Sequence, residues 1–495
     1  MVIHSEQCPP QGPSIPECEV ITTPLTLDQM PNEMVLKILS TMPNINSLHA
    51  FAASCKAVYN VYEYNKVQIL AKVFLDKIDK GVYEEAAITE RLKREKWKDA
   101  KDGCDSILRV YNSKRTIRSE DLTLENIKDM WRLHKSVEYF ADRLPTTLLR
   151  EHPVTNVKGH FSLTPRVRAR FQRALYRLSS HLIIIEKVDA VFNAGQDSRD
   201  LPQHDVRHKL PTRDQGHVLW DFHTYYSAFE VEQLSCLCSL LTAEIAPYFN
   251  DFLEHDIELG SRLNNYIDNL VHPGGMSLIS LGLSFLHSLL TAATQDDLHE
   301  VVRPVADQIT WVRGEQHVAL PKLDMRNFGD LLEIGKLSAS SGLTFWESVD
   351  LWGNGKPLDC LIRTPFFDDH DSGPASAWSA MSSFSIHMRS HGEADGHFNS
   401  PTDPWAYVFW DLKMLENSGF GNLNGDGGIE NNVVIPQGHP IFNTWQPLQK
   451  YTTPYARKNI ILSAREKCKM LERGQAGYFD FETFCENNND KCLVY

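Results

Sequence analysis

The chain has 495 residues, room for about three domains at roughly 100–200 residues each. Hydrophobic residues at 42% and charged residues at 23% exclude a disordered or fibrous protein. With Lys and Arg at 50 against Asp and Glu at 64, the net charge of −14 argues against phosphate-driven nucleic-acid binding. The 10 cysteines lack CxxC pairs, so neither a disulfide framework nor a cysteine metal site is expected, and the compartment reads as reducing.

In chain order, residues 1–23 read as a flexible tail, with four prolines and no basic-then-apolar leader pattern. Residues 24–78 carry three short amphipathic helices. Asp28 is placed to cap the first and Pro31 to open it, with Glu33 near the positive end of its dipole. At 100° per residue, Met34, Val35, Ile38, Leu39 and Met42 span an arc of about 140°. Asn46 is the expected cap of the second helix, which presents Leu48, Phe51 and Ala52. The third places Val58, Tyr62, Ile69 and Val73 on one side. Three helices in about fifty residues cannot bury so much apolar surface among themselves. Either later parts of the chain or another protein must cover the rest.

The run LTLDQMPNEMVLKILSTMPNINSLHAFAASCKAVYNVY resembles an F-box. Met30-Pro31-Asn32-Glu33 matches its Leu-Pro-x-Glu opening with Met for Leu, and Ile38-Leu39 its Ile-Leu pair. Leu48, Phe51 and Tyr59 fall at later positions, and Val58-Tyr59 stands where many members carry Trp. The stretches Pro165–Leu178, Phe229–Leu241 and Asp403–Phe420 are similar to segments that accompany the divergent F-boxes of filamentous fungi. The resemblance implies a substrate adaptor of a cullin-based ubiquitin ligase. Met30, Pro31, Glu33, Met34, Val35, Ile38, Leu39, Leu48 and Phe51 would bind a Skp-type linker subunit and, through it, cullin. An unidentified target protein would bind the remainder. The alternatives are an enzyme, metal-dependent or otherwise, with merely structural N-terminal helices, and a scaffold outside the ubiquitin machinery.

Residues 79–495 read as a large, irregular α-helical region. Ala86–Lys101 is a charged stretch, and helical patterns follow at Leu124–Leu144, Thr164–Phe192, Phe229–His255, Met276–Ala293 and Gly342–Leu351. The fold class is therefore mainly α. A minor hairpin is expected at Asn424-Gly425-Asp426-Gly427-Gly428. Asp197–Asp214 reads as a loop, and 367–404 as a mobile insertion. The longest charge-free run, Asn269–Gln295, contains Pro273, Gly274 and Gly275, so it predicts a buried helix and no membrane span. The protein is expected in the cytoplasm and/or nucleus.

Thr164 caps and Pro165 opens a helix whose Arg166, Arg170, Arg173 and Arg177 fall within about 60°. Such a row suits an acidic or phosphorylated partner, but in so acidic a chain internal pairing with Asp and Glu is the stronger expectation. Val167, Phe171, Ala174 and Leu178 should pack inward. Cys236 and Cys238 point to different sides of a helix and read as small buried hydrophobes. His387, His391 and His397, with His370 nearby, read as a solvated loop, and no metal or other cofactor is expected. Trp405, Tyr407, Phe409 and Trp410 read as core. No GxSxG, Walker A or HExxH motif occurs, so no catalytic residue is nominated and the chain is not expected to be an enzyme.

Overall fold

The structure is a computed structural model, and it describes residues 26–76, 78–112, 122–148, 163–193, 222, 225–262, 278–306, 366–367, 369–378, 406–417 and 454–488. Of the described residues, 79% are helical. The β pairing among the described residues is an isolated antiparallel bridge between Asp256 and Tyr478. The expected hairpin, the Asp197–Asp214 loop, the Gly342–Leu351 helix and His387, His391 and His397 lie outside the described residues. By backbone contacts the chain divides into two compact units, Met1–Lys77 with Ser119–Leu124 and Ile78–Arg118 with Glu125–Tyr495.

In the first unit, α1 (Asn32–Ser40), α2 (Ile45–Ala52) and α3 (Lys56–Leu75) follow a 3-10 turn at Leu27–Gln29. Asp28 lies within that turn rather than capping α1; Thr26 and Gln29 form a capping box there, and Pro31 is the residue preceding α1. Asn44, not Asn46, caps α2, its side chain accepting from the Ser47 amide at 2.7 Å. Two asparagines two apart are equivalent in composition, and only the backbone turn decides which one reaches the free amide. α3 kinks at Asn65, whose φ of −111° and ψ of 17° leave the helical region. The Asn65 side-chain amide donates to the Val61 carbonyl at 3.0 Å. Val58, Tyr62, Ile69 and Val73 are all buried, two on each side of the kink.

The second unit is built on α4 (Lys80–Arg94), α7 (Pro165–Asn193) and α8 (Ala228–His255). α7 packs along α4 and against α8, and it also touches α5 (Ala100–Asn112) and the 3-10 turn Tyr407–Phe409. The charged stretch expected at Ala86–Lys101 is broken. α4 ends at Arg94, and Asp99 accepts from the Asp102 amide at 2.8 Å to start α5. A Cβ on Gly103 would meet the Trp97 ring at 3.0 Å, so glycine lets this turn close. α6 (Leu124–Leu148) is tied to α8 by Arg143, which donates to the Glu244 carboxylate and, at 3.2 Å, to the Tyr248 hydroxyl.

α9 (Ile257–Arg262) and α13 (Pro454–Glu472) pack closely, and α14 (Phe481–Asn487) packs on α13. α10 (Leu283–Thr291) and α11 (Gln295–Ala306) lie together, with α10 against α8. α10 begins later than the apolar run implies, because Gly282 at φ 89° interrupts it. The first part of the expected mobile insertion is ordered: 373–378 is helical, with Ala377 and Trp378 buried. α12 (Leu412–Asn417) follows the 3-10 turn.

Candidate docking face and buried charge clusters

α1 and α2 both pack on α3, and this division of surface sorts the residues that the F-box resemblance nominates. Val35, Leu39 and Leu48 are at most 1% exposed. They are the core of the unit and do not face outward, which corrects their assignment as linker contacts. Half a stripe is left. Pro31, Glu33 and Met34 are exposed, while Met30, Ile38 and Phe51 are half-buried. Met34 is 50% exposed and lies four residues before Ile38 on α1, and Met42, just past the helix end, is half-buried. Leu27 and Tyr59 add further apolar surface. A polar tie joins α2 to α3. The Tyr62 hydroxyl lies 3.3 Å from His49 Nε2, with the two rings edge to face.

Three of the four arginines in the row turn inward, while Arg166 stays exposed. Thr164 caps α7 as expected, its hydroxyl accepting from the Val167 amide at 3.2 Å. Arg170 grips Asp369 with two bonds of 2.7 and 2.9 Å and donates to the Phe409 carbonyl at 3.1 Å. It also pairs with Asp371 at 3.1 Å. Arg173 donates to Asp369 at 3.0 Å and lies over the Phe367 ring, while Arg166 reaches Asp371 at 3.3 Å. Arg177 donates to Glu85 at 2.8 Å and Glu230 at 3.1 Å, with Tyr226 against its face. Arg170, Arg173 and Arg177 are buried, so this row does not form a face for an outside acidic partner. The reason is that α7 has neighbours on several sides and keeps little solvent-facing surface.

Electrostatics follow burial. Desolvation would lower Arg177, but Glu85 and Glu230 together hold it above its ordinary value. Burial pushes the Glu85 carboxyl up, and pushes the hydroxyls of Tyr111 and Tyr226 well up. These two hydroxyls are 2.8 Å apart, and Tyr226 donates onward to Glu85 at 3.0 Å. For Asp371, burial acts upward but the Gly373 amide and Arg170 outweigh it and keep the carboxyl low. Of the aromatic group, Phe409 is core, stacked on Phe171 at 4.0 Å. Trp410 is half-buried. Cys236 and Cys238 are both buried.

No family model, curated protein or solved structure matches this chain. Among the described residues, no helix is long and apolar enough to cross a membrane.

A second charge cluster, at the C-terminal end of α8, carries no sequence motif. Lys467 of α13 is fully buried and donates to the carbonyls of Leu253 and Glu254, each at 2.7 Å. Its ammonium caps the negative end of α8 beneath the rings of Phe479 and Phe481. Gly260 makes room: a Cβ there would stand 2.7 Å from Lys467 Cδ. Burial pushes Lys467 down to about 7 and the Glu254 carboxyl up to about 7. The only local signal was the spacing Asp251-x-x-Glu254-His255, which puts three potential ligands within the last turn of one helix.

Proposed function

We propose that this chain is an F-box-type adaptor that docks a Skp-type linker subunit through its first unit, bringing a target protein to a cullin-based ubiquitin ligase. The observation that carries the reading is an apolar patch about α1: Met34 exposed and Ile38 half-buried on the helix, with Met30 and Met42 half-buried just outside its two ends. It stays on the surface of a three-helix unit whose own core, at Val35, Leu39 and Leu48, is already complete. Pro31, Glu33 and Phe51 border it. The linker contacts are therefore these outer residues, with the buried three holding α1 and α2 in place. Fully burying a large apolar side chain is worth about 1.5–3 kcal/mol, so several half-exposed anchors together offset association costs. Such an adaptor does no bond chemistry. It raises the effective concentration of a target lysine near a conjugating enzyme.

The test is capture of a purified Skp-type linker by the full chain. Met34→Asp and Ile38→Asp should each abolish capture with the helical circular dichroism retained. Leu108→Asp, at a residue 52% exposed on α5, should leave capture intact. Capture unchanged in both α1 variants would remove this face from the interface. Co-purification of cullin with the linker separates a ligase adaptor from a scaffold.

A further inference from the structure

Resting on the docking reading above, we propose that Met34 is a redox modification site: a hydroperoxide converts its thioether to the sulfoxide, and the linker is released from the α1 face. Of the six methionines among the described residues, three, Met30, Met34 and Met42, lie within or beside the nine-residue α1. Met34 is 50% exposed, whereas Met30, Met42, Met414 and Met470 are half-buried and Met130 is 4% exposed. A peroxide in solvent therefore meets Met34 first. An unbranched thioether suits an adaptable apolar contact, which is why methionine recurs at binding surfaces, and it carries this reactivity with it.

The step balances without any group from the protein. A sulfur lone pair attacks the outer oxygen of the hydroperoxide, an S–O bond forms and the O–O bond breaks. Sulfur gives up two electrons. The leaving oxygen takes the proton of the transferred one and departs as water, or as an alcohol from an organic peroxide. The product is a polar, chiral side chain. On the docked face its S–O group would lie beside Met30, Ile38 and Met42, whose side chains offer no hydrogen-bond donor, so burying it against a partner is costly. The free unit keeps its fold. Val35, Leu39 and Leu48, the core on which α1 and α2 pack against α3, are at most 1% exposed and contain no sulfur. Oxidation at Met34 thus changes the outer surface and leaves the helices in place. Enzymatic reduction of the sulfoxide makes the change reversible. Cys55, half-buried at the start of α3, is the cysteine among the described residues of this unit, and its oxidation is separable by reductant.

The experiment treats the full chain with limiting hydrogen peroxide and maps the added oxygen by peptide mass spectrometry. Capture of a purified Skp-type linker is titrated before and after. Met34 should take up oxygen first, and capture should weaken about tenfold or more with helical circular dichroism unchanged. Methionine sulfoxide reductases A and B with dithiothreitol should restore capture. Dithiothreitol alone, which reverses a disulfide or sulfenic acid at Cys55, should not. Compared with its own untreated value, Met34→Leu should show no response at the same dose, while Met470→Leu should respond as the unsubstituted chain does. No capture by the untreated chain would overturn the docking reading and this site with it. Three outcomes would overturn the redox site alone: normal capture that survives oxidation of Met34, oxidation of Met130 as fast as Met34, or a response that persists in Met34→Leu.

Discussion

In the first three helices the core is almost wholly apolar. Val35, Leu39, Leu48 and Val58 are buried, the ion pair of Lys66 with Glu63 stays partly exposed on α3, and the outer edge of α1 stays half-open. In α7 the opposite arrangement holds. Arg170, Arg173 and Arg177 are buried with Asp369, Asp371, Glu85 and Glu230 around them. The difference teaches how each region fails. An apolar core loses energy in proportion to the volume removed, whereas a buried ion pair that loses one partner leaves a charge with no solvent and no counterion. It also separates function from scaffold: the greasy surface left unfinished is the candidate for recognition, and the charged row is internal framework.

The sharpest way to break the contrast is Arg177→Met, which strands Glu85 and Glu230 beside each other. It should cost about 3–5 kcal/mol, read as a fall in the thermal midpoint of the full chain. Adding Glu85→Gln should restore part of that loss; additive losses would mean the two groups do not act as one network. Next comes Leu39→Ala, expected to cost about 2–5 kcal/mol, measured by hydrogen exchange of the α1–α3 amides. A small effect there would mean that Leu39 lies outside the core of its unit.

Acid should then act on the second region. Burial, aided by Arg168, holds His134 down to about 4 from an ordinary 6.5. Its neutral ring lies 2.9 Å from the Tyr176 hydroxyl. Between these values the unfolded chain takes up a proton that the folded chain refuses, so stability falls as pH drops from about 6.5 to about 4. The loss is up to about 3 kcal/mol. Titrating His134→Gln by thermal denaturation over that range should show a correspondingly flatter profile. The smallest expected effect is Asn44→Ala, which removes the α2 cap for about 1 kcal/mol, while Asn46→Ala should be near neutral. Equal effects at the two positions would contradict the cap seen here.

Much of the helical layout was legible because the signals are local. Thr164-Pro165 opens α7 as written, and the face of Val58, Tyr62, Ile69 and Val73 is buried as its spacing requires. The candidate docking face was only half legible. Period alone puts Met34 and Val35 in one arc, yet the first is 50% exposed and the second 1%. Which edge of the arc meets α3 depends on the crossing of two helices, and no stretch of ten residues contains that information.

By itself, then, the order of amino acids determined a mainly helical chain, the opening of α7, and a first segment too apolar to stand as an ordinary surface. Those properties come from backbone propensity and side-chain spacing within a few residues. Only the tertiary structure decided that Arg170 meets an aspartate 199 positions away, and that Glu482 reaches a histidine 227 positions away. Electrostatic partners are chosen by distance in space and by the exclusion of water between them, and both arise only when separated segments are packed together.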